Sequence, residues 1–333
     1  MSWGLSPIWA KIISLYTLLI DQKCREDLSL NLLVSERDYV SRFLTHLMYP
    51  NGPFNSKSNY IFWKARTNDG STERDTGTDG VIIFTYKGQY KVSLFEAKWP
   101  RYFNKKYNWD NLYKVKKEEL VEFELELKNY NADSRMRNKQ KFSRFSQEII
   151  KQKSFAHQAA IWEIFFCDAP VGTGNSISPY FNEWGSTCVW FDEAFNHFNY
   201  YRGSFQFETW KNIDLEQLFL GVNPGENIPN RSVGPTIAEI IYKILTCQKG
   251  KPLDNSNLKG DYIILEGEDI DSKQVNIKIP LFDFSNINGQ KFHSGLINDF
   301  LETSTFSYYI AVDLERCIQS IIQYMLSRLE LNN

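Results

Sequence analysis

Paired cysteines are missing from this chain. Cys24, Cys167, Cys188, Cys247 and Cys317 stand singly, an odd number, with no C-x-x-C and no Cys/His cluster of zinc spacing. That pattern argues against a zinc ribbon and fits the reduced thiols of a cytosolic protein. A phosphate-cradling G-x-x-x-x-G-K, a dinucleotide fingerprint and a Ser/His/Asp pattern are absent as well, which disfavours nucleotide-loop and triad chemistry. Val171-Gly172-Thr173-Gly174-Asn175 is glycine-rich but has no Lys-Ser/Thr after it, so it is expected to be a loop. An excess of one charge is also lacking. With 38 basic residues against 40 acidic ones, a net charge of −2, any site for a polyanion must be local. Nor is there a long apolar run. Trp9 to Ile20 is interrupted by Lys11, preceded by no basic residue and followed by Asp21-Gln22-Lys23. It is shorter than the ~20 residues of a membrane span and has no small-residue cleavage site. Ile12, Ile13, Tyr16, Leu19 and Ile20 form a helical stripe instead, and a cytoplasmic location is expected. No repeat or low-complexity tract occurs.

What the chain does have is a hairpin that ends in acid. VIIFTY, from Val81 to Tyr86, and QYKVSLFEAK, from Gln89 to Lys98, flank Lys87-Gly88, which suits a two-residue turn. Tyr86 then faces Gln89, and the same register puts Asp79 opposite Glu96. Alternation along each strand gives one face of Val81, Ile83, Thr85, Leu94, Val92 and Tyr90, the expected core face. Asp79 and Glu96 continue that face at the open end, and Lys98 shares their side. Directly opposed Cβ atoms lie about 4.5–5.5 Å apart, so two ionised carboxylates would repel without a cation between them. A hard divalent ion answers that need, because Mg²⁺ is held by one or two carboxylates plus water and substrate phosphates. Lys98 would stand beside it, able to orient a water or offset charge on a phosphate. Triplets of carboxylate, any residue and base are common: five occur, about what composition alone gives. Only Glu96/Lys98 ends an apolar strand with an aspartate across from it.

These residues resemble the PD-(D/E)xK nuclease superfamily. Gly77-Thr78-Asp79 is similar to its G-x-D element and Glu96-Ala97-Lys98 to its E-x-K element, on successive strands. The resemblance implies an α/β fold, a restriction-endonuclease-like mixed sheet flanked by helices. It also implies Asp79, Glu96 and the backbone carbonyl of Ala97 as metal ligands. Family members often bring a Glu from the helix before the hairpin, which here is Glu36. Ser35 suits an N-cap, and Val40, Phe43, Leu44 and Leu47 make an apolar stripe that Glu36 begins. Many members carry Q-x-x-x-Y on the helix after the hairpin. Gln158-Ala159-Ala160-Ile161-Trp162 matches with Trp for Tyr, in a helix expected from Phe155 to Phe166.

A local basic region lies between them. Arg135, Arg137, Lys139, Lys141, Arg144, Lys151 and Lys153 stand against Glu148 alone, interleaved with Phe142 and Phe145. Such a run suits phosphate contacts with base stacking, or equally a solvated helix face. Arg135, Arg137, Lys139, Lys141 and Arg144 are the candidate nucleic-acid contacts. His157, next to Gln158, could touch substrate, although a lone helical His is more often a packing residue.

The expected order is two helices (about Pro7 to Gln22 and Glu36 to Met48), a strand near Tyr60 to Lys64, a loop from Asn68 to Gly77, and the hairpin. A charged helix from Lys114 to Lys128, the basic segment and a strand around Thr187 to Phe191 follow. Residues 1–200 are expected to form the nuclease-like domain. Residues 201–333 would be an α+β extension with a helix near Ile237 to Leu245, a hairpin (Tyr262 to Glu266, Val275 to Ile279), a strand near Tyr308 to Val312 and a last amphipathic helix. That extension could serve specificity, homo-oligomerisation or docking of a partner ATPase or helicase. The resemblance implies a Mg²⁺-dependent endonuclease acting on DNA, with Mn²⁺ able to substitute, in restriction or antiviral defence. The alternatives are a nuclease-like nucleic-acid-binding or assembly subunit with an inactive site, or a nuclease for RNA or single strands.

Overall fold

Lys87 and Gly88 both take positive φ, 49° and 71°, the geometry of the tight hairpin turn whose twist matches that of the strands. The expected register follows, from Tyr86 paired with Gln89 to Gly80 paired with Phe95. The computed structural model describes residues 3–49, 58–65, 76–99, 101–103, 106–109, 112–114, 141–166, 182–202, 209–210, 212–222, 228–231, 233–268, 274–284 and 306–330.

In chain order the elements begin with α1 (Pro7–Ser29), α2 (Glu36–Met48), β1 (Ile61–Ala65), β2 (Gly80–Tyr86) and β3 (Gln89–Lys98). Two short pairs follow, β4 (Arg101–Phe103) with β5 (Lys106–Asn108) and β6 (Leu112–Lys114) with β7 (Lys141–Ser143). Next come α3 (Arg144–Gln152), β8 (Ala160–Phe165), β9 (Thr187–Trp190), α4 (Phe191–His197), α5 (Asn212–Leu220) and α6 (Ile237–Leu245). The chain continues with β10 (Leu258–Lys259), β11 (Tyr262–Glu268), β12 (Gln274–Pro280), β13 (Tyr308–Asp313) and α7 (Leu314–Glu330). Six strands form one mixed sheet in the order β1-β13-β2-β3-β8-β9. β13 runs parallel to β2 and β8 parallel to β3, while the other neighbours are antiparallel.

Both faces of this sheet are covered, where the alternation pointed to one. Val81, Ile83, Val92, Leu94, Ile161 and Val189 pack with α3, α4, α5 and the β10-β11-β12 sheet. Phe84, Phe95, Trp162, Ile164 and Trp190 pack with α1, α2, α6 and α7. Each such large side chain contributes roughly 1.5–3 kcal/mol on burial. The polar residues of the second face are buried because they find partners. Lys91 donates from Nζ to the carbonyls of Ile244 (2.6 Å) and Lys249 (2.9 Å) at the end of α6, and burial pulls its pKa down. Ser93 accepts from Trp162 Nε1 at 2.8 Å.

Three further expectations change. The stretch expected as a helix from Phe155 to Phe166 is a single 3₁₀ turn, Lys153–Phe155, followed by β8. A short continuous apolar run such as Ala160-Ile-Trp-Glu-Ile-Phe carries no period that separates helix from strand, and a strand covered on both faces looks like this. α1 runs seven residues beyond Gln22 because Asp21, Cys24, Arg25 and Leu28 are buried against the body. Residues 201–333 are not an appendage, since β13 lies between β1 and β2 inside the sheet. The expected Lys114 to Lys128 helix, beyond Lys114 itself, and the glycine-rich Val171 to Asn175 stretch lie outside the described residues. Among the described residues no helix is long and apolar enough to cross a membrane.

Candidate functional site

The end of the sheet where β2 starts and β3 and β8 finish gathers the charged residues. Gly77 enters it with φ +65°, and a Cβ there would stand 2.7 Å from the Cα of Glu148, so the turn before Asp79 and helix α3 can close up only over glycine. The Asp79 amide donates to the Phe95 carbonyl at 2.9 Å. The hairpin ladder thus slips by one residue at its mouth. Asp79 turns its carboxylate to the next strand, where Oδ2 accepts from the Ala97 amide at 2.7 Å.

Glu96 and Lys98 alternate onto the same face, with Lys98 Nζ 2.9 Å from Glu96 Oε1. Helix α3 is capped by Ser143, whose hydroxyl accepts from the Ser146 amide at 3.0 Å. It lays Arg144, Glu148 and Gln152 over the site at i, i+4 and i+8. Glu148 bridges the two cations: one oxygen pairs with Lys98 Nζ, the other accepts from Arg144 Nε at 2.6 Å. Arg144 also reaches to 3.9 Å from Glu96 and keeps 45% of its side chain exposed, the solvent-facing cation of the group. Glu163 lies beside Glu96 in the parallel register of β3 and β8. Its Oε1 accepts from Gln152 Nε2 at 2.6 Å, and the same amide nitrogen donates to the Gly77 carbonyl at 2.7 Å. Glu163 Oε2 is buried 4.0 Å from Lys98 Nζ with no hydrogen-bond partner among the described residues.

Glu36 closes the group from α2. Ser35 accepts from the Asp38 amide at 3.1 Å, and Val40, Leu44 and Leu47 are buried, as the sequence pattern indicated. Five carboxylates (Glu36, Asp79, Glu96, Glu148 and Glu163) therefore share one neighbourhood with two cations, Lys98 and Arg144. Burial, with Asp79 and Glu148 adding to it, pushes Glu36 up to about 8. Glu163 is likewise pushed up to about 8 by burial, with Glu148 and Asp79 adding to it. Glu96 rises well above the usual range through burial and its neighbours Asp79 and Glu148. Glu148 goes the other way: burial would raise it, but Lys98 and Arg144 outweigh burial and hold it ionised. Burial disfavours the Lys98 ammonium, yet Glu148, Glu96 and Glu163 together hold it above its usual range. Burial and crowding thus favour the protonated form of three of the acids, and a hard cation could displace those protons. Asp79, Glu96 and Glu36 have the donor chemistry for one. Among the described residues, no three His, Cys, Asp or Glu groups already converge closely enough to hold an ion.

Of the residues singled out by sequence, Glu36, Asp79, Glu96, Lys98 and Arg144 come together. Gln158 does not. It precedes β8, before the strand that carries Glu163, and its side-chain oxygen accepts from the Glu266 amide at 2.9 Å. The glutamine in the site is Gln152. Ala97 contributes its amide, which holds Asp79. Arg135, Arg137 and Lys139 lie outside the described residues, as does the side chain of Lys141. Glu148, Gln152 and Glu163 are site residues that the sequence pattern did not single out as such, although each left a signal. Arg144, Glu148 and Gln152 recur every four residues, and Glu163 is the single charge in an apolar strand. No family model, curated protein or solved structure matches this chain.

Proposed function

We propose that this protein is a Mg²⁺-dependent nuclease of the PD-(D/E)xK type that hydrolyses phosphodiester bonds of DNA. The observation that carries it is the meeting of Asp79, Glu96, Lys98 and Glu36 at one end of the sheet, with more buried acid than the two cations balance. The mixed sheet, with helix α2, the β2-β3 hairpin, helix α3 and parallel β8 around the site, would be the restriction-endonuclease-like arrangement.

Asp79, Glu96 and Glu36 would hold the ion. Once bound, Mg²⁺ supplies a Lewis acid for the phosphate and a lowered pKa for the attacking water. The remaining work falls to side chains of the chain itself. Asp79 is fixed by the Ala97 amide, so its carboxylate does not have to be ordered at the moment of reaction. Lys98 keeps its proton and offers fixed positive charge to the phosphate. Glu148 occupies Lys98 and Arg144 with its two oxygens, as a phosphate would, and a bound phosphate must take over those donors. Arg144, half in solvent, is the first of the pair that a strand would meet.

The test is direct. Purified protein with Mg²⁺ or Mn²⁺ is incubated with labelled duplex DNA, single-stranded DNA and RNA, beside Lys98→Ala and a chelator control. Metal-dependent cleavage of DNA that Lys98→Ala loses is the expected result. Cleavage of RNA alone would change the substrate, and no cleavage of any of the three would remove the enzyme assignment. In that last case a nucleic-acid-binding subunit with an inactive site is favoured by one observation, the engagement of both cations by carboxylates.

A further inference from the structure

Behind the carboxylate site, across the sheet, lies a cavity of about 80 Å³ that presents no polar atom to its interior. Its floor is the sheet. Phe95 lies next to Glu96 in β3, and Trp162 and Ile164 flank Glu163 in β8, so the same strands carry the acids on one face and the cavity on the other. Its roof is α1, α2 and α6, with Val40 and Leu44 of α2 and Ile241 of α6 among the lining. α2 is the helix that begins at Glu36.

Water does not settle such a space. A buried water needs two to four polar partners, whereas apolar cavities stay dry and take up xenon or hydrocarbons. The volume admits a xenon atom or a few carbons, since a cavity of about 150 Å³ is what benzene has been found to occupy. Tyr16, Phe43 and Ile82 are half-buried members of the lining and mark its side nearest solvent.

We propose that this cavity is a binding site for a single small apolar molecule of xenon or short-hydrocarbon size, held between the sheet and α1, α2 and α6. It stands independently of nuclease activity. The experiment is xenon NMR on the full chain and on Val40→Phe, which fills the space, with Ile241→Phe as a second filling variant should the first fail to fold. Leu44→Ala enlarges the space. The xenon resonance should shift saturably with wild-type protein, lose that shift with the filling variant and shift more with Leu44→Ala. Leu44→Ala should also gain a benzene-dependent rise in Tm of about 2–4 °C that wild type lacks. Equal xenon shifts for wild type and the filling variant, or no increase with Leu44→Ala, would mean a packing void only and overturn the proposal.

Discussion

Two clusters of buried charge among the described residues are built on opposite terms. Around Asp21 every oxygen is answered. Oδ1 accepts from the Tyr39 hydroxyl at 2.7 Å and the Ser186 hydroxyl at 2.8 Å, and Oδ2 accepts from the Ser186 amide at 2.6 Å. Arg25 donates to the Gly185 carbonyl at 2.8 Å beside them. Gly185 has to be glycine, because a Cβ there would stand 2.7 Å from Asp21 Oδ2. One acid, one base and their donors form a closed set that pins α1 to the segment entering β9. Around Glu96 the set is open: acids outnumber bases, Glu163 keeps an oxygen with no hydrogen-bond partner among the described residues, and burial with mutual repulsion raises three carboxylates. A closed network holds a fold together. An open one is a cost that persists where something else is meant to complete it.

The sharpest contrast comes from cutting one acid in each. Glu96→Gln keeps the shape and removes one of the crowded acids. Cleavage should fall by on the order of 10³-fold, and the rise in Tm produced by Mn²⁺ should disappear, while the Tm without metal stays level or increases. Asp21→Ala should do the reverse. It strands the Tyr39 hydroxyl and the Ser186 hydroxyl and amide, costing about 3–5 kcal/mol in urea unfolding, with cleavage by the folded fraction unchanged. Glu96→Gln unfolding the protein, or Asp21→Ala leaving it as stable as wild type, would erase the distinction between the two clusters.

A pH series sharpens it further. Glu36 and Glu163 hold protons in the folded state up to about 8, whereas in the unfolded chain they lose them near about 4.3. Between those values the native state binds more protons than the unfolded one, so their contribution makes stability fall as pH rises and level off above about 8. Glu148, held down by Lys98 and Arg144, contributes in the opposite sense and loses its share as pH falls through its folded pKa. Unfolding free energy measured from pH 5 to 9 should therefore slope downward. Mg²⁺ should flatten the slope by giving the deprotonated acids a partner, and Glu163→Gln should remove part of it. A slope that ignores both would show that the acids are not crowded in solution.

Most of the frame was legible because local rules fixed it. The Lys87-Gly88 turn set the hairpin register, and Ser35 with the Val40, Leu44, Leu47 stripe set the span of α2. Glu96 and Lys98 followed from strand alternation, whereas Asp79 joins them only after the ladder slips at the hairpin mouth. What stayed hidden depends on partners distant in sequence. Nothing near Tyr308 to Asp313 announces that this strand slides between β1 and β2, and nothing near Lys91 announces the carbonyls at the end of α6 that make it a core residue. Glu163 was obscured by the apolar run around it, which periodicity cannot assign to helix or strand.

The smallest expected effect belongs to the two glutamines, and it separates motif from geometry. Gln158 fits the family spacing, yet it serves the β11 backbone at Glu266. Gln152 fits no motif, yet its one nitrogen ties the Gly77 turn to Glu163 behind Lys98. Gln158→Ala removes one exposed acceptor and should leave cleavage within about twofold and stability within about 0.5 kcal/mol. Gln152→Ala leaves the Gly77 carbonyl and Glu163 without their donor, so stability should drop by about 1–3 kcal/mol. Because the turn before Asp79 is then held by one bond fewer, kcat should fall more than KM rises. The opposite ranking, with Gln158→Ala the damaged variant, would mean that the helix expected from the sequence forms in solution and that β8 does not carry Glu163 into the site.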